Sequence, residues 1–284
     1  MSDPIQALIE KCEGAYAPKT LSCYRRDLIE FRNFCGARGL AWYPACGETV
    51  AHWVDEACGE FVKTTVRRKI GAVRFLHVMN NSENPTTTAE VKLAYRRVMR
   101  KNRRQPKRAA PITPEILERL LETCGDDLEG LRDRALMLVA HESLARSGEI
   151  AAIQVGDVFL GEDPARLLIP RSKVDIEGLG RWADLSSVAA GAVRDWVAAA
   201  GLKGGALFRR VRGPYVGAEG LNVSSISRML RRRQGMICNE GRPLSGHSFR
   251  VGGAQKLLEE GKSELEIMLA GGWLSAGAMA GYLR

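Results

Sequence analysis

Long apolar runs are missing from this sequence. The most apolar stretches, such as Ala135 to Ala140, are far too short to span a bilayer, and the opening MSDPIQ has neither the basic nor the apolar region of a secretory signal. No membrane partner is therefore expected, and the chain reads as soluble and cytoplasmic. Seven cysteines (Cys12, Cys23, Cys35, Cys46, Cys58, Cys124 and Cys238) form no CxxC pair and are odd in number, which disfavours a zinc ribbon or a disulfide framework. There is no GxxxxGK[ST] phosphate loop, no HExxH and no clustered set of metal-ligand residues. The expected cofactor is none, whether nucleotide or metal.

What is abundant is positive charge. Lys plus Arg number 42 against 33 Asp plus Glu, a formal +9 with a pI near 9.3. Such a balance suits a polyanion: nucleic acid first, an anionic membrane surface second. With 45% hydrophobic residues over 284 positions, the chain can bury the core of one large domain or two ordinary ones.

Helical periodicity dominates the first hundred residues. Leu21, Tyr24, Leu28, Phe31 and Phe34 recur on one face between Lys19 and Gly39. Thr49 to Val62, Thr64 to Met79 and Thr86 to Lys101 give three more helical patterns, the last two separated by the turn-forming pairs Asn80-Asn81 and Asn84-Pro85. The segment then becomes purely basic: Arg96, Arg97, Arg100, Lys101, Arg103, Arg104, Lys107 and Arg108 occur with no acid among them, followed by Ala-Ala-Pro. A solvated helix face usually mixes both signs, so contact with a DNA backbone is the favoured reading of this run.

The second half changes texture. Thr113 and Pro114 start a helix, and Leu128 to His141 forms another. Arg166 to Ser172 and Arg181 to Leu185 read as two short strands joined by a turn-rich connection with Gly178 and Gly180, a hairpin by composition. Helical patterns return over Ala189 to Ala200, Val223 to Gln234, Gly246 to Glu260 and Ser263 to Leu269, with Gly261 ending the third. The basic stretch Arg228 to Arg233 (RMLRRR), which holds Arg231, Arg232 and Arg233, reads as a second DNA contact, because Glu219 and Glu240 lie too far along the chain to neutralise it directly.

Two short pairs carry chemistry. GHSFR places His247 and Arg250 on one face at a helix start, and LARSGEI brings Arg146 and Glu149 to a helix entry where the carboxylate can orient the guanidinium. Each pair is commonplace alone. Likewise Glu149 alone is a helix-start carboxylate, Trp273 a core anchor and Tyr282 a terminal core aromatic.

Order alters that weighting. Arg146, Lys173, His247 with Arg250, Trp273 and Tyr282 follow one another along the chain. The set resembles that of the tyrosine recombinases, or phage integrases, and HSFRVGGAQ, IMLAGGW and GYLR are especially similar to the Cre-like branch, which has Trp where most relatives have His. The resemblance implies a mainly α chain: an N-terminal helical core-binding bundle (1–104), a basic linker (105–110) and an α+β catalytic domain with a small β-sheet (111–284), closing on DNA as a clamp. It also implies site-specific recombination through a 3′-phosphotyrosine and a Holliday junction. The implied partners are double-stranded DNA with specific recombination sites, a homotetramer and accessory proteins. A type IB topoisomerase activity and a non-catalytic DNA-binding role are the alternatives.

In the implied chemistry Arg146 and Arg250 clamp nonbridging phosphate oxygens, and Tyr282 attacks phosphorus. Lys173 protonates the leaving 5′-oxygen, with Arg171 on the same strand face as the alternative acid. His247 assists the tyrosine or holds a phosphate oxygen, and the Trp273 indole N–H donates to one. Relatives continue past the nucleophile into a segment that docks on a neighbouring protomer. Only Leu283 and Arg284 follow Tyr282 here, so the expectation is either a shortened chain or protomers that couple by another route, such as exchange of the helix around Tyr282.

Overall fold

The structure, a computed structural model, describes residues 3–102, 108–169, 180–237 and 241–283. Lys173 and Arg171 lie outside these residues, as do Arg103, Arg104 and Lys107. The chain divides into two compact units, Met1–Lys107 and Arg108–Arg284.

The first unit is helical throughout its described residues: α1 (Pro4–Lys11), α2 (Pro18–Gly36), α3 (Gly47–Ala57), α4 (Lys63–Met79) and α5 (Ala89–Lys101). Asp3 starts α1, its side chain accepting from the Ile5 N–H at 3.0 Å, with Pro4 in the first turn where its missing N–H costs nothing. α3 packs on α5 and α2 on α4. Two apolar clusters result. One centres on Phe31, Trp53, Val66 and Val91, with the Phe31 and Trp53 rings 4.9 Å apart; the other holds Ile5, Leu8, Leu28, Phe75 and Leu76. Lys69 is buried between them, paired with Glu30 and with its Nζ 4.4 Å from the Phe61 ring centre, so its charge is compensated twice.

The second unit is built around α7 (Leu128–Glu142), between α6 (Pro114–Glu122) and the short α8 (Ser147–Ala152). Residues Ala135 to Ala140 are buried on every side of α7, which explains why the helix has almost no amphipathic stripe. It packs on α9 (Ser187–Ala199) and α11 (Gly246–Glu259). A three-stranded antiparallel sheet runs β1 (Val158–Phe159), β2 (Ala165–Ile169), β3 (Arg181–Leu185), with Leu167 opposite Ala183 and Ile169 opposite Arg181. A second hairpin, β4 (Arg209–Arg212) with β5 (Tyr215–Gly220), precedes α10 (Val223–Met236). The chain ends through α12 (Glu264–Gly271) and α13 (Ala276–Met279).

Two glycines decide how closely α11 approaches its neighbours. A Cβ at Gly252 would lie 1.8 Å from the Ile112 carbonyl oxygen, and one at Gly253 2.4 Å from that of His141. Backbone cannot step aside as a side chain can, so this contact admits only glycine. The same approach places Arg250, two residues earlier, deep beside the turn that follows α7.

His141 closes this interface. Its buried Nε2–H donates to the Ile112 carbonyl at 3.0 Å, and burial, against the opposing pull of that hydrogen bond and with help from Lys256, pushes its pKa down to about 4. Because the folded-state pKa is below the unfolded value, this neutral imidazole stabilises the fold fully above about pH 6.5, and the contribution is lost as pH falls toward 4. Between pH 7 and 5 the loss from this residue should be about 2 kcal/mol. His141→Gln keeps a donor for Ile112 but does not titrate. Denaturant midpoints at the two pH values should therefore fall less in the variant, and equal falls would remove His141 as the cause.

Candidate active site

The turn between α7 and α8 presents the first cation. Leu144 takes a left-handed conformation (φ 52°) that β-carbon-bearing residues rarely adopt, so the surroundings must hold it there. Part of that hold is visible: the Arg250 Nη1 donates to the Leu144 carbonyl. Two residues on, Arg146 caps α8. Its Nη1 donates to Glu149 Oε1 at 2.7 Å, and its backbone N–H donates to the other carboxylate oxygen at 2.9 Å. Glu149 is buried, so one acid fixes both the entry of the helix and the direction of the guanidinium.

Arg250 has no solvent exposure. Its guanidinium carbon lies 3.9 Å from the centre of the Trp273 ring and 5.5 Å from that of Tyr282. Burial and the charge of Arg146 bring its pKa down to about 10, still far above neutrality. Its Nε and Nη2 are buried without a hydrogen-bond partner, and so is the Trp273 indole nitrogen. Unsatisfied buried donors of this kind are rare, and three of them side by side form a ready cradle for an anion.

Trp273 owes its position to two glycines. Gly272 ends α12 in the left-handed conformation (φ 63°), and a Cβ on Gly271 would sit 2.0 Å from the indole ring. The Trp273 N–H closes the turn on the Met268 carbonyl at 2.9 Å. Tyr282, just beyond α13, stacks against this group: its ring lies 4.9 Å from Trp273 and 5.0 Å from His247. His247, near the N-terminus of α11, has its pKa lowered by partial burial, then by Arg250 and Arg146, so it is neutral at pH 7 and able to accept a proton.

Arg146, Glu149, His247, Arg250, Trp273 and Tyr282 are thus gathered from widely separated stretches of chain, while Lys173 falls outside the described residues. Arg181, at the start of β3, belongs to the same cluster and went unrecognised in the sequence. Its Nη2 approaches Glu149 Oε2 at 3.7 Å and its Nη1 donates to the Ala270 carbonyl at 2.6 Å. Burial and Arg146 draw its pKa down to about 10 against the opposing pull of Glu149. Strand alternation held the signal, since Arg181, Ala183 and Leu185 share the more buried face of β3.

The basic segments divide. Arg96, Arg100, Lys101 and Arg108 are exposed, whereas Arg97 is paired with Asp55 of α3, its Nε 3.1 Å from Oδ1. In α10 Arg228 and Arg231 both have the free-standing exposure expected of a phosphate contact. Arg233 is buried, donating from Nε and Nη2 to Asp133 at 2.9 and 2.7 Å and from Nη1 to the Thr123 carbonyl, so the expectation that it reaches DNA is corrected. Arg232 is half committed, to Glu129 at 2.8 Å and Asp133 at 3.1 Å. The counter-charges come from α7, about a hundred positions away in sequence, where no local reading of charge would look.

Known proteins share this organisation. Residues 111–284 match the family model described as Phage integrase family, and residues 8–84 match that of the Phage integrase, N-terminal SAM-like domain. The chain is 29% identical over 275 residues to Recombinase cre of Escherichia phage P1, covering 88% of this chain and 79% of that protein. It is 24% identical over 269 residues to the Integrase/recombinase xerD homolog of Selenomonas ruminantium, covering 91% and 79%. Among solved structures, the XerH site-specific recombinase bound to palindromic difH substrate aligns with a TM-score of 0.71 at 15% identity, over 99% of this chain and 80% of that one. A lambda integrase dimer bound to a COC′ core site aligns at 0.67 and 16%, over 99% and 76%. At these identities the two structures establish a common fold.

Proposed function

The chain belongs to the phage integrase family and is a tyrosine recombinase, and from that premise we propose that it exchanges DNA strands at specific sites with Tyr282 as the nucleophile. The observation that carries the assignment of the centre is the cluster of three buried, unpartnered donors on Arg250 and Trp273 beside the Tyr282 ring. A phosphodiester is anionic and repels nucleophiles, so donors fixed in advance around its nonbridging oxygens offset the charge that grows there. Arg146 and Arg250 supply most of that offset, and Trp273 donates one further hydrogen bond.

The Tyr282 phenol attacks phosphorus, forming the phosphotyrosine bond while the bond from phosphorus to the 5′-oxygen breaks. Its proton passes to neutral His247. Lys173 delivers a proton to the departing 5′-oxygen, and reversal of these steps by the 5′-hydroxyl of the partner strand religates the DNA without net hydrolysis. The exposed cations Arg96, Arg100, Lys101, Arg108 and Arg231, together with Arg103, Arg104 and Lys107, contact the backbone of the duplex. Two sites are joined by four protomers, with accessory proteins setting direction. No helix among the described residues is long and apolar enough to cross a membrane, and we place the protein at the nucleoid in the cytoplasm.

The test begins with the duplex that the protein itself selects from a random-sequence pool. A nick placed near the cleavage point lets the short leaving strand diffuse away, which traps the covalent state. A denaturant-resistant adduct whose DNA-bearing peptide contains Tyr282 is expected. Absence of any adduct, or its attachment elsewhere, overturns the reading.

A further inference from the structure

Three guanidiniums, those of Arg146, Arg181 and Arg250, surround a site with one buried carboxylate, Glu149. Two of them have roles in the reaction proposed above. Arg181 has none, yet it is among the more buried cations of the chain, with its side chain 13% exposed. Keeping a third guanidinium among two others is electrostatically unfavourable, as the fall of its pKa to about 10 through burial and Arg146 records. A group retained against that cost calls for a purpose other than stability.

Its contacts indicate the purpose. The side chain leaves β3, where its backbone is held opposite Ile169, and spans two elements that touch the phosphate site from different sides. Its Nη2 lies 3.7 Å from Glu149 Oε2, an ion pair rather than a hydrogen bond, on the same oxygen that accepts from the Arg146 backbone N–H, and its Nε and Nη2 are buried without a hydrogen-bond partner. Another donor caps the Ala270 carbonyl in the last turn of α12, where intrahelical partners run out. That carbonyl lies three residues before Trp273. Gly272 completes the arrangement: a Cβ there would lie 3.2 Å from the Arg181 Cδ and 3.4 Å from Nε, so the left-handed turn that aims Trp273 is packed directly on this side chain.

We propose that Arg181 is a positioning residue: it ties the Glu149 carboxylate that orients Arg146 to the α12 turn that carries Trp273, holding the two sides of the phosphate site in register. The inference rests on the reading of the site given under Proposed function. It requires an arginine, because one planar group must donate to a carbonyl from Nη1 while its Nη2 holds the charge near a carboxylate, and a lysine ammonium cannot span both.

The experiment compares full-length variants on the nicked duplex described above, measuring single-turnover adduct formation, DNA affinity and its salt dependence. Arg181→Gln is expected to slow adduct formation about 10²-fold, the scale of a small misplacement at a reacting centre, with affinity within about twofold of wild type. Arg181→Lys, which keeps the charge and is the milder change for folding, should not restore the rate. Adding Arg181→Gln to Glu149→Gln should cost no more than about threefold further, since both act through one link. Wild-type rates in Arg181→Gln, full rescue by lysine, or multiplying losses in the double variant would overturn the inference. So would a salt slope reduced by about one, which would make Arg181 a direct phosphate contact. A wild-type protein that forms no adduct would instead overturn the underlying reading of the site, and is recorded separately from any variant.

Discussion

Replacing Tyr282 by phenylalanine is expected to abolish the covalent protein–DNA adduct while changing DNA affinity by no more than about twofold. The separation follows from what the tyrosine touches. Its ring packs on Trp273 at 4.9 Å and His247 at 5.0 Å, and Arg250 lies 5.5 Å from its centre; phenylalanine keeps all three contacts. What it lacks is the phenolic oxygen, the atom that in the proposed reaction bonds to phosphorus, and no neighbouring group substitutes for a nucleophile that forms the covalent bond itself. Gel-resolved adduct from the nicked duplex, alongside a binding isotherm, measures both quantities. An adduct persisting in Tyr282→Phe would move the nucleophile elsewhere, and a large loss of binding would show that the hydroxyl serves recognition.

Arg250→Met is expected to lower the cleavage rate by about 10³-fold or more while leaving the fold no less stable than wild type. The two halves have separate causes. Cleavage suffers because two buried donors, Nε and Nη2, are removed from the place where, in the proposed reaction, phosphate charge grows. Stability balances because the losses and gains are of similar size. The Leu144 carbonyl is orphaned, which costs about 1–3 kcal/mol. Against this, the folded protein no longer has to hold a buried charge whose pKa burial and Arg146 have brought down to about 10. Single-turnover cleavage and denaturant unfolding of the same preparation decide the matter. A fall in stability of more than about 3 kcal/mol would make Arg250 a structural residue first.

Much of the architecture was legible where periodicity and capping agree. α2, α4, α7, α10 and α11 follow stretches of helical spacing, and Thr113 and Asp127 accept from backbone N–H groups at the starts of α6 and α7. The start of α8 was legible too, in the Arg146–Glu149 pair three residues apart, although the helix is only six residues long. The β4–β5 hairpin escaped because RRVR and YVGAEG show no alternation of apolar and polar side chains; most of its residues are exposed or half-buried and its pairing needs no buried face. The N-terminal α1 was passed over as well, since eight residues make too short a window for periodicity.

The tyrosine with which the site ends was identifiable because its companions occur in a fixed order of residue types, each suited to an anion: guanidiniums, an imidazole, an indole N–H, a phenol. Residue type and order are properties of the chain, and they pointed to the family, the mainly helical class and the net positive charge without reference to any fold. Partnership was decided only in three dimensions. Asp133 claims Arg233 and part of Arg232 from across the unit, withdrawing one from DNA and restraining the other. Glu149 draws in Arg181 from a different strand, and glycines at 252, 271 and 272 set how near the elements bearing Arg250 and Trp273 can come. The reason is common to all of these: charge neutralisation and steric contact depend on distance through space, and residues far apart in sequence carry no local mark of the neighbour that will satisfy them.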